Sequence, residues 1–172
     1  MISGKNFISS TIGKKVMVAI SGLLFCFFLL FHFANNLIIF TGADNFNFLV
    51  SSLEKIKPLV RVLEVLLLAI LVTHITNTII LTIKAKKAGN NSKEEAGSKH
   101  SSFSSRTMFF SGSILFIFIV THLSTFWYNF QITDDHTSYY RIVTDSQLGF
   151  GNIFITILYL LAMIFLGFHI KH

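Results

Sequence analysis

The sequence has 172 residues, 52% of them hydrophobic and 13% charged, with 20 phenylalanines. A soluble domain carries about a quarter charged residues, so this balance argues against an ordinary soluble fold and for a membrane protein. The net charge of +6 is not read as a nucleic-acid footprint, because the charges sort by loop, and a single cysteine, Cys26, excludes an internal disulfide.

In chain order, Lys5, Lys14 and Lys15 precede a first apolar run over 16–40. A helix needs roughly 20 apolar residues to cross a bilayer, and this run supplies them. It is too long for a cleavable signal peptide, and no A-x-A site follows it. Cys26 within it reads as a small apolar residue. The segment "DNFNFLVSSLEKIKP" is amphipathic and is expected along the outer interface. Pro58 then opens a second run, 59–83, at a helix position where its missing N–H costs nothing. A polar Gly/Ser/Lys-rich stretch over 84–107, with Lys84, Lys86, Lys87, Lys93, Lys99 and Arg106, reads as a solvated linker. Two further apolar runs cover 108–128 and 152–170. None of the four holds a Lys, Arg or Asp in its centre.

The expected fold is therefore all-α: one transmembrane domain, a bundle of four spanning helices. Lys55, Lys57, Arg61 and Arg141 are the only basic residues around the other two connections. By the positive-inside rule the N-terminus and the 84–107 linker face the cytoplasm, so the helices run outward, inward, outward and inward.

Each run contains one histidine: His32, His74, His122 and His169. An ionisable residue inside a membrane is a functional candidate by default. Taking about 1.5 Å per residue, His32 and His122 lie about 25 and 21 Å above the cytoplasmic side. His74 lies only about 14 Å above it, and His169 falls at that inner level too. The four sort into two pairs at two depths, each pair from two helices of the same direction. That arrangement suits a flat macrocycle held edge-on, its iron bound by imidazole on both faces. No C-x-x-C-H motif is present, so two haems would be non-covalent, of b type. His100 and His136 read as solvated, and His172 is a weaker alternative to His169.

An internal repeat links the first and third runs. "SGLLFCFFLLFH" (Ser21–His32) and "SGSILFIFIVTH" (Ser111–His122) align without a gap. Eleven residues are close to a whole number of turns, so each Ser shares a helix face with its His, about 16 Å away. Ser-Gly either lets helices approach closely or makes room for a flat ligand.

"GKKVMVAISGLLFCFFLLFHFANNLIIFTGADNFN", "SSRTMFFSGSILFIFIVTHLSTFW", "YYRIVTDSQLG" and "YLLAMIFLGFHIKH" resemble the di-haem cytochrome b membrane subunit of succinate:quinone oxidoreductases and quinol:fumarate reductases. The single-polypeptide anchor type is the nearest likeness. The resemblance implies an outer haem on His32 and His122 and an inner haem on His74 and His169. It implies a flavoprotein subunit and an iron–sulfur subunit on the cytoplasmic face of the inner (cytoplasmic) membrane, and a quinone substrate, expected as menaquinone. That family has a fifth helix after the last ligand, whereas this sequence reaches only three residues past His169, which reads as a fragment. Some members of that family carry a Glu two residues before the final ligand, used in proton movement; Gly167 stands there, so that proton path is not implied.

Secondary candidates keep two readings each. Arg106 is placed for inner-haem propionates or for lipid head groups. Glu64 is a candidate for proton exchange with a quinone, and Glu54 reads as solvated. Trp127 and Tyr128 fit an aromatic belt or a quinone contact. Two other functions compete: another bis-histidine b-type cytochrome, and a transporter relaying protons through its histidines. The second would want polar residues along a pathway or broken helices at mid-membrane, which the four runs lack.

Overall fold

The structure, a computed structural model, describes residues 4–91, 101–133, 135 and 138–171, with only the backbone for 4–6, 89–91 and 101–107. Among them the chain is helical with no strand. In order come α1 (Gly4–Ser9), α2 (Thr11–Asn36) with a 3-10 turn Leu37–Thr41, α3 (Ala43–Lys55) and α4 (Lys57–Asn91). Then follow α5 (Ser101–His122), a π-helical turn Leu123–Trp127, α6 (Tyr128–Ile132), α7 (Tyr139–Thr144) and α8 (Ile153–Lys171). Four stretches are long and apolar enough to cross a membrane: Thr11–Thr41, Lys57–Ala88, Met108–Ile132 and Ile153–Lys171. This is a multi-pass α-helical membrane protein.

The first three spans outrun their expected limits. Ser10 caps α2, accepting the Gly13 amide at 2.9 Å, so the helix starts five residues before the apolar run. Helix α4 continues through Lys84, Lys86 and Lys87 to Asn91, and α5 begins at Ser101. Much of the expected 84–107 linker is thus helix, since Ala and Lys favour helix whatever their polarity. Residues 92–100, with Lys93, Lys99 and His100, lie outside the described residues, as do His136 and His172.

The described residues group into two compact units, which are taken one at a time. The first, residues 1–37 and 53–97, is built on α2 packed against α4. Its enclosed side chains are few, with Ser21 and Asn77 the buried polar ones. Outward-facing Leu30, Phe31, Leu66 and Leu68 suit contact with lipid tails rather than water.

The second unit, residues 38–52 and 98–172, pairs α5 with α8. At one end it carries a small aromatic core in which α3 contributes Phe46, the π-helical turn Phe126, and α7 Tyr139 and Val143. Tyr139 is fully enclosed. Asn47 ties α3 to α7 by accepting the Tyr140 amide at 2.8 Å. Amphipathic α3 therefore uses its apolar side on this core through Phe46, while Phe48 points away.

Between α7 and α8 the chain turns over residues 145–152, organised by Asp145. Its carboxylate accepts the amides of Gln147 and Leu148, both at 2.8 Å, and its carbonyl accepts those of Gly149 and Gly151, both at 3.1 Å. A Cβ at Gly149 would lie 2.5 Å from the Val143 carbonyl oxygen, so only glycine passes there. The Leu148 and Gln147 amides hold the Asp145 carboxyl below the usual carboxylate range. Its stabilising effect is complete above the unfolded value near 3.9 and disappears as pH falls through the lowered folded one. Hydrogen exchange should find the Gln147 and Leu148 amides protected at about pH 5 and exposed in stronger acid. Asp145→Asn should weaken that protection at about pH 5 and remove its dependence on pH.

Candidate functional site

All four spanning histidines are half-buried, unlike neighbours such as Phe31 and Phe168 that face outward. In the first unit His74 of α4 reaches across to α2, where its Nδ1 lies 2.8 Å from Ser21 Oγ. The edge of Phe25 meets the same imidazole, with ring centres 6.0 Å apart. His32 lies eleven residues beyond Ser21 on α2, with Phe28 stacked on it at 5.3 Å and 23°. Since His74 stands at the level of Ser21, the two imidazoles of this unit are about 16 Å apart along the helix axis.

The second unit repeats the pattern. His169 of α8 reaches α5, its Nδ1 3.1 Å from Ser111 Oγ. His122, eleven residues beyond Ser111, has Phe118 stacked against it at 5.9 Å and 28°. Phe28 and Phe118 hold the same place in the sequence repeat, four residues before their histidines. His122 Nδ1 also lies 3.1 Å from the phenol of Tyr159, ten residues before His169 on α8. Here too the imidazoles occupy two levels about 16 Å apart.

No family model, no curated protein and no solved structure matches this chain. What the site can do rests on its own geometry.

The repeated Ser-Gly has a physical role between neighbouring helices. Each Ser pairs with the histidine of the neighbouring helix, not with the one above it on its own. Each Gly faces that imidazole, but only Gly112 is needed for its approach. A Cβ at Gly22 would lie 3.8 Å from His74 Cε1, an ordinary contact, whereas one at Gly112 would lie 3.3 Å from His169 Cε1. Gly112→Ala should therefore push the ring away and destabilise α5–α8 packing by about 1–3 kcal/mol. Gly22→Ala should be close to neutral. Unfolding of the two variants in detergent, compared side by side, reads the difference.

The π-helical turn begins directly after His122, where the Tyr128 amide donates to the Leu123 carbonyl one residue further back than in an α-helix. Such insertions are frequent at functional sites. This one accompanies an enclosed Phe126, packed near His122 and Tyr159 at 5.9 and 5.6 Å.

The remaining candidates fall as follows. Glu64 is ion-paired with Arg61 at 2.6 Å and Glu54 with Lys57 at 3.3 Å, all partly exposed. Glu64 precedes His74 by ten residues, the offset of Tyr159 from His169, which puts it at the level of His32 by helical rise. Trp127 and Tyr128 face outward. Arg106 is in α5, and its side chain is outside the described residues. Among the described residues no three His, Cys, Asp or Glu side chains cluster. Tyr159 was not foreseen from sequence. A phenol inside a run as apolar as "FITILYLLAMIFLGFH" was the available signal, because its hydroxyl needs a polar partner there.

Proposed function

We propose that this protein is the membrane subunit of a succinate:quinone oxidoreductase or quinol:fumarate reductase, binding two b-type haems through His32 and His122 and through His74 and His169. The pairing itself comes from the sequence. The observation that carries the reading is the placement of four imidazoles, one per span and half-buried, at two levels in each unit. Porphyrin supplies four of the donors around iron, so one or two imidazoles complete the set and no cage of three side chains is required. Neutral imidazole on an apolar helix is a nitrogen donor of the right type.

Bound haem would supply one-electron chemistry, while the chain binds it, orients it and excludes water. Phe28 and Phe118 hold the planes of His32 and His122 by stacking. Arg106 is proposed for haem propionates, and Glu64 for proton exchange with the quinone, proposed as menaquinone. The cytoplasmic ends of the helices would receive the iron–sulfur and flavoprotein subunits, in the inner (cytoplasmic) membrane.

An optical spectrum of the purified protein reconstituted with haem tests the reading. Sharp reduced-state bands of low-spin b haem are expected. A spectrum that stays that of unbound haem would end the proposal and leave a histidine proton relay or a plain anchor. A reporter fused near Lys93 should register as cytoplasmic, and an external one would invert the docking face.

A further inference from the structure

Ser21 and Ser111 are more enclosed than nearly every apolar side chain of the spans, at 5% and 1% exposure. Each hydroxyl makes two contacts. Ser21 Oγ donates to the Val18 carbonyl at 2.9 Å and lies 2.8 Å from His74 Nδ1. Ser111 Oγ donates to the Met108 carbonyl at 3.2 Å and lies 3.1 Å from His169 Nδ1. A hydroxyl has one proton and two lone pairs. With the proton directed at the carbonyl, the oxygen can only accept from the ring, so Nδ1 must be the nitrogen that carries hydrogen.

A neutral imidazole has a single N–H, and its basic lone pair is then on Nε2. We propose that Ser21 and Ser111 are positioning residues that hold His74 and His169 in the Nδ1–H tautomer and present Nε2 as the metal-ligating nitrogen. A ligating histidine generally donates its other ring N–H to an acceptor, which fixes the ring and raises its basicity. The two units accomplish this with the same Ser-Gly pair: Gly faces the ring edge, and Ser, one residue earlier, accepts its N–H. The hydrogen-bond partner of His122 is built differently. Tyr159 makes its described hydrogen bond to Nδ1 alone, so no second acceptor fixes the direction of that proton.

The ligating role of Nε2 rests on the haem reading, but the tautomer does not. Solid-state NMR of the full chain in bilayers, without haem and with nitrogen-15 histidine, separates the two. Protonated Nδ1 and unprotonated Nε2 are expected for His74 and His169 in the parent protein. Ser21→Ala should shift His74 toward the Nε2–H form and leave His169 unchanged; Ser111→Ala should do the reverse. Ser→Thr at either place keeps the hydroxyl and should restore the parent signal. Haem titration of the Ala variants should show affinity lower by about ten- to a hundredfold at the affected site, the usual consequence of losing such a partner. An Nε2–H tautomer in the parent, or a tautomer unmoved by Ser→Ala, would overturn the proposal. Parent tautomers as expected in a chain that takes up no haem would retain the positioning role and defeat the haem reading alone.

Discussion

Replacing His74 or His169 with alanine is expected to remove one of two haems and spare the other; replacing His32 or His122 should remove the complementary one. Each haem has two imidazoles in the proposed arrangement, so losing one leaves iron five-coordinate and high-spin or releases the cofactor. In the first unit the levels of His32 and His74 differ by about 16 Å, as do those of His122 and His169 in the second, too far for one imidazole to replace the other. Haem content per chain, with low-spin and high-spin fractions read from the spectrum, makes the check. Grouping is the informative result: His74→Ala and His169→Ala should give one spectrum, His32→Ala and His122→Ala a different one. If His74→Ala and His32→Ala gave the same residual spectrum, the assignment of ligands to levels would be wrong.

The four spans were legible because a bilayer imposes a minimum apolar length, and no other segment satisfies it. Their ends were not. Ser10 extends α2 by capping it, and "KAKKA" extends α4 because backbone propensity there is independent of the polarity that made the segment look like a loop. Helix α7 was invisible for a different reason. "YYRIVT" is too short to show a period, and it is held in place by Asn47 and by the Phe46–Tyr139–Val143 core, contacts far away in sequence. The histidines were found from the sequence because a lone imidazole stands out among Leu and Phe. Their partners were missed because the repeat was read along one helix. Ser21 and His32 do share a face, yet the hydrogen bond joins Ser21 and His74, fifty-three residues apart. The π-helical turn after His122 has no Gly or Pro to announce it, so it could come only from the backbone itself.

Tyr159→Ala is expected to cost about 3 kcal/mol of stability in the second unit, the low end of the range for deleting a large ring, because Tyr159 is half-buried. Four rings meet this one: Phe118 at 4.8 Å, Phe150 at 4.9 Å, Phe126 at 5.6 Å and His122 at 5.9 Å. Phe118 and Phe150 approach it edge-on, both at 82°, the arrangement that favours aromatic pairs beyond their buried area. Alanine would leave a cavity that α5 and α8 cannot close without disturbing the Phe126 core. Tyr159→Phe should behave differently. It keeps every ring contact and loses only the hydrogen bond to His122, about 0.5–1.5 kcal/mol. Unfolding titrations in mixed detergent micelles measure both, and the ratio of the two losses is the test. If Phe cost as much as Ala, the hydroxyl rather than the ring would be holding His122 in place. In that case the π-helical turn beside it would be a support for the imidazole, and the aromatic cluster would be secondary to the hydrogen bond.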